Sequence, residues 1–88
     1  MTAPRKSSLE WFPYIARGTR SRTKEVVAHG NVEYEQCVEG GLFLIRRIER
    51  ARSGSPTVLE IGRGMTRTRV LGLWQQILRN TTELRLPQ

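Results

Sequence analysis

The chain has no aspartate, a single cysteine and a single histidine among its 88 residues. Each scarcity excludes a class of chemistry. Cys37 alone cannot form an intrachain disulfide, and with His29 as the lone histidine no Cys/His zinc site fits within one chain. Mechanisms that need an aspartate are excluded, and no cofactor or metal ion is expected. No stretch of about 18 apolar residues is present, so no membrane span is expected. No apolar segment follows the N-terminus in the manner of a secretory signal. The expected location is therefore cytoplasmic. A chain this short buries only roughly 60–65% of its extended surface, which makes a homodimer the expected way to enlarge the core.

What the chain does have is positive charge. Fifteen Lys and Arg stand against eight Glu, for a net charge of +7. Residues 1–24 carry +5, residues 25–49 carry −3 and residues 50–88 carry +5, so the charge is segregated. Segregated basic charge is the footprint of a polyanion binder. Thirteen of the cations are arginine. The planar guanidinium fork suits phosphate oxygens and can stack on bases.

The apolar pattern predicts an α+β fold: a short N-terminal helix, an antiparallel sheet of three or four strands, and a C-terminal amphipathic helix packed on one face. Residues 1–7 read as a disordered basic arm, 8–81 as one domain and 82–88 as a tail. Leu9, Phe12 and Ala16 recur at helical spacing over 8–17, although Pro13 falls inside that stretch. Val32, Tyr34, Gln36 and Val38 alternate with Glu33, Glu35, Cys37 and Glu39, a period-two strand. Gly40-Gly41 supplies a two-residue hairpin loop. That loop pairs Glu39 with Leu42, Glu35 with Arg46 and Val38 with Phe43. The register gathers Val32, Tyr34, Val38, Phe43 and Ile45 on one face, and Glu33, Glu35, Arg46 and Arg50 on the other. The strand from Thr57 to Ile61 has two possible registers. One puts Leu59 and Ile61 in the core; the other leaves them beside Leu44 and Ile48 as an exposed apolar patch. Val70, Leu71, Trp74, Ile77 and Leu78 form one stripe of a helix from about Thr66, its N-cap, to Asn80.

The start of that helix runs against stability alone. Carboxylates belong in a first helical turn, yet this one holds Arg67 and Arg69, with Arg63 just before it. Amide N–H groups, Gly62, Gly64 and three arginines make a candidate phosphate site. It is not a nucleotide P-loop, since Gly-Lys-Ser/Thr is absent. Arg17, Arg20 and Arg22, beside Trp11, Phe12 and Tyr14, form a second basic cluster suited to an adjacent stretch of backbone.

Two segments, Ile15-Ala16-Arg17-Gly18 and Gly62-Arg63-Gly64-Met65-Thr66-Arg67-Thr68-Arg69, resemble the end of the first helix and the basic lead-in to the last helix of double-stranded-RNA-binding domains. In that family the second segment contacts phosphates. The chain departs from it in using arginine for lysine, in Gly72 and Trp74 on the last helix, and in a short Glu39-Gly40-Gly41 loop.

The expected function is non-catalytic nucleic-acid binding, with RNA favoured over DNA. The candidate residues are Arg17, Arg20, Arg22, Arg63, Arg67 and Arg69, which would contact duplex backbone with little sequence preference. The alternative is a viral, phage or plasmid accessory protein that docks on a host protein through a patch at Leu44, Ile48, Leu59 and Ile61. A metal-independent ribonuclease would have only His29 and Glu60 to work with.

Overall fold

The computed structural model describes residues 9–18 and 20–85. It is an α+β fold with a five-stranded antiparallel sheet and one C-terminal helix. The strands are β1 (Phe12–Pro13), β2 (Ser21–His29), β3 (Val32–Glu39), β4 (Leu42–Glu49) and β5 (Thr57–Ile61), followed by α1 (Arg67–Arg85). Their order across the sheet is β1-β5-β4-β3-β2. The sheet thus has one strand more than expected at most, and the arm read over residues 1–7 lies outside the described residues.

The β3–β4 hairpin has the expected register. Glu39 opposes Leu42, Glu35 opposes Arg46, and Val38 opposes Phe43. Gly40 and Gly41 have φ of 58° and 83°, the pair of positive values that a two-residue hairpin turn matching the sheet twist requires. The open question at β5 resolves toward the core, since Ile61 pairs with Ile45 and Leu59 with Arg47. Leu59 and Ile61 therefore share the face that carries Ile45, and the apolar patch expected from the other register does not form.

Helix α1 covers that face. Val70, Trp74 and Ile77 pack with Ile45 and Ile61, joined by Val27, Tyr34, Phe43, Leu73 and Leu78. Burying each large apolar side chain in this cluster contributes roughly 1.5–3 kcal/mol. Thr66 is the N-cap, as expected: its Oγ1 accepts from the Arg69 amide at 3.2 Å. The helix runs on to Arg85, into the stretch read as a tail. Residues 81–85 contain no Gly or Pro to interrupt it.

Of the helix expected over 8–17, the described residues 9–17 form none. Phe12–Pro13 is instead an edge strand against Glu60 and Leu59. Pro13 decides the outcome. It cannot donate within a helix and would clash with the preceding turn, but an edge strand tolerates it. The side chains then alternate. Leu9 and Trp11 pack against the α1-side core, while Phe12 stays exposed. The resemblance to double-stranded-RNA-binding domains loses its first helix and keeps only the basic lead-in to the last one.

β1 and β2 occupy opposite edges, so the chain joining them must cross the sheet. Tyr14, where the crossing starts, reaches Glu39 on β3 and Arg46 on β4, both on the face opposite α1. That second face is closed by this crossing chain and by long arginine side chains, which is how Cys37 and Leu44 come to be fully buried without a helix above them.

Candidate nucleic-acid interface

The face opposite α1 is an ion-pair network. Glu35 pairs with Arg46 at 2.9 Å and Glu33 with Arg50 at 2.9 Å, as the hairpin register implies. On the α1 side, Arg47 pairs with Glu49 at 2.9 Å. Arg63 is held twice, by Glu39 at 2.6 Å and by Glu60 at 2.8 Å. Glu39 is only 3% exposed and Glu60 only 7%. The Tyr14 hydroxyl also donates to Glu39, and the Arg46 and Arg63 guanidiniums lie 5.3 and 5.8 Å from the Tyr14 ring centroid.

The electrostatics follow from these contacts. The Tyr14 hydrogen bond, with the Arg63 guanidinium behind it, holds the Glu39 carboxyl below the usual carboxylate range. The same bond to Glu39, with burial, pushes the Tyr14 phenol upward, so the shared proton stays on tyrosine. Glu60 and Glu39 fix Arg63 more firmly in its charged form. Burial pushes the Cys37 thiol up, away from reactivity.

Arg63 was expected to face an outside phosphate, but it is already neutralised by two carboxylates of its own chain. Its guanidinium is thus engaged inside the fold. Sequence proximity offered one clue, the three-residue spacing of Glu60 and Arg63. Glu39, 24 positions away, offered none.

The remaining candidates have a different surrounding. Among the described residues, Arg17, Arg20, Arg22, Lys24, Arg67 and Arg69 make no ion pair, and all six are exposed. Arg17 donates to the Ile15 carbonyl at 2.9 Å. Arg20 and Arg22 stand at the start of β2, beside the Gly40-Gly41 turn; the Gly40 amide donates to the Arg20 carbonyl at 3.2 Å. Arg22 pairs with Val38, and Val38 with Phe43. The Arg67 guanidinium lies over the Phe43 ring at 5.8 Å. The row Arg22–Val38–Phe43 thus ends under Arg67, two inter-strand steps of about 4.8 Å from β2. Arg22 and Arg67, 45 positions apart in the chain, are thus brought to one end of the sheet, and Arg69 follows on α1. No acid lies in the first turn of α1.

No residue pattern marked the open depression beside this row. It has a volume of about 280 Å³ and is lined by Arg20, Ser21, Arg22, Val38, Gly40 and Gly41. His29 and Glu60 are not brought together, since they lie on β2 and β5 with two strands between them. Glu60, moreover, is bound by Arg63. Among the described residues no three His, Cys or acidic side chains converge as a metal-binding group. Among the same residues no helix is long and apolar enough to cross a membrane. No protein-family model matches the chain, and neither does any curated protein or solved structure.

Proposed function

We propose that this chain binds nucleic acid through the phosphate backbone, RNA in preference to DNA, with little sequence specificity and without catalysis. One observation carries the proposal. The glutamates at 33, 35, 39, 49 and 60 are all held by arginines of the same chain, while Arg20, Arg22, Arg67 and Arg69 stand unpaired around one end of the sheet. Unpaired guanidiniums gathered in one place repel one another, and a polyanion relieves that repulsion. Arg17 would extend the contact along the crossing chain. The accessory-protein alternative rested on an apolar patch that included Leu59 and Ile61; with both turned toward α1, that support is gone. A cytoplasmic homodimer, which would double the phosphate contacts, belongs to the same proposal.

The test is binding to a labelled RNA duplex across a salt series. Four phosphate contacts give a slope of log affinity against log salt of roughly −3 to −4. The Arg67→Ala/Arg69→Ala variant should weaken all sequences alike and make the slope shallower by about 1.5–2. Unchanged affinity and slope in that variant would remove Arg67 and Arg69 from the interface.

A further inference from the structure

We infer that the depression at the Gly40-Gly41 turn takes a single unpaired nucleobase, so that the preferred RNA carries a bulged or splayed-out nucleotide. The inference rests on the RNA reading above and narrows it. The geometry has three parts. Val38 contributes an apolar side chain to the lining, Arg20 and Arg22 contribute two cations, and the paired glycines contribute backbone without side chains. At about 280 Å³ the space lies just under the roughly 300–1,000 Å³ of small-molecule pockets, enough for one ring system.

The chemistry of the lining fits a base better than a phosphate alone. A lone phosphate needs donors but no apolar lining. A base has a flat apolar face that Val38 and an arginine plane can cover, and polar edges that guanidinium donors can reach. At Gly41 a Cβ would meet nothing within 4 Å, so the turn is open to an approaching ligand. The flanking phosphates of such a nucleotide would have Arg20 on one side and Arg67, across Phe43, on the other. An uninterrupted duplex keeps its bases stacked and can offer the depression nothing.

The experiment compares two labelled RNA duplexes, one perfect and one with a single-nucleotide bulge, bound by the full chain and by Val38→Gln. Val38 lines the depression, shares the face of Arg22 and makes no part of the phosphate contacts; a longer polar side chain there fills the space and removes its apolar lining. Thermal unfolding of the variant controls for folding. The native chain is expected to bind the bulged duplex about tenfold more tightly, a difference of roughly 1.4 kcal/mol. Val38→Gln should lose that preference while binding the perfect duplex within about twofold of the native chain. Equal affinity of the native chain for both duplexes overturns this inference and leaves backbone binding standing. A bulge preference that survives in Val38→Gln overturns the assignment to this depression. Absence of any salt-dependent RNA binding overturns the reading beneath it.

Discussion

The Tyr14 hydroxyl donates a hydrogen bond to the Glu39 carboxylate, joining the chain that leaves β1 to the far end of β3 across 25 positions of sequence. This contact anchors the crossing that closes the sheet face opposite α1. It also gives a nearly buried carboxylate a donor that water cannot supply. A hydrogen bond to a charged group contributes roughly 1.5–3 kcal/mol, and Tyr14→Phe removes it while keeping the ring between Arg46 and Arg63. The expected loss is about 1.5 kcal/mol in urea unfolding. A midpoint and slope identical to the native chain would show that the contact does not anchor the crossing.

The same pair sets a pH profile. The Glu39 carboxyl is depressed in the folded chain, chiefly by Tyr14 and then by Arg63. Its contribution is therefore fully present above the unfolded carboxylate value of about 4.3 and lost as pH falls through the lower folded value. Tyr14 titrates the other way. Its phenol is raised by Glu39, so its contribution holds below about pH 10 and is lost as pH climbs through the folded value. Stability should be level between about pH 6 and 9 in these two groups and fall on either side. Tyr14→Phe should flatten the alkaline limb and soften the acid one, read from thermal midpoints across pH. An alkaline limb equally steep in the variant would assign that loss to other groups.

Arg63 separates stability from binding. Its removal strands Glu39 and Glu60 in a nearly dry site, and breaking a buried pair in this way costs about 3–5 kcal/mol. Arg63→Ala should therefore unfold at much lower denaturant. Replacing all three charges together, as Glu39→Gln/Glu60→Gln/Arg63→Met, should recover much of the loss, because no unpaired ion remains. Arg67→Ala and Arg69→Ala, both at exposed positions, should shift the unfolding midpoint by under about 0.5 kcal/mol each while weakening RNA binding. If Arg63→Ala left stability intact and reduced only RNA affinity, Arg63 would return to the interface.

Why some of this was legible in the sequence and some not comes down to range. The β3–β4 register followed from local rules: alternation in Val32–Val38, two glycines in a two-residue loop, and opposite charges at Glu35 and Arg46 all agree. The α1 stripe and the Thr66 cap were equally local. The N-terminal strand was missed because Leu9, Phe12 and Ala16 keep helical spacing while Leu9 and Trp11 alternate with Phe12. Only the vacant edge of β5, distant in sequence, decides between the two. The fate of Arg63 was hidden for the same reason. Its unpaired look at the head of α1 was an effect of sequence neighbours, and Glu39 arrives from the end of another strand. Arg20, Arg22 and Arg67 remain unpaired where their spatial neighbours, Val38, Phe43 and two glycines, carry no charge.

β2 is a nine-residue edge strand, long enough to pair with another chain, and it carries its own obstacle. The pairing with β3 steps from Thr23 opposite Cys37 to Glu25 opposite Gln36, leaving Lys24 as an extra residue in a bulge. A bulge twists the edge and a lysine there charges it, and both devices oppose edge-to-edge association. Deleting Lys24 joins Thr23 directly to Glu25. Both keep their present partners on β3, so the register survives while the outer edge becomes regular and loses a charge. The deletion variant should fold, with a far-UV circular dichroism spectrum close to that of the native chain. It should also associate as concentration rises, read as increasing mass in light scattering coupled to size exclusion. Native-like mass at every concentration would mean that the bulge does not guard this edge. With the bulge acting as guard, the two copies of the proposed homodimer meet elsewhere than at β2.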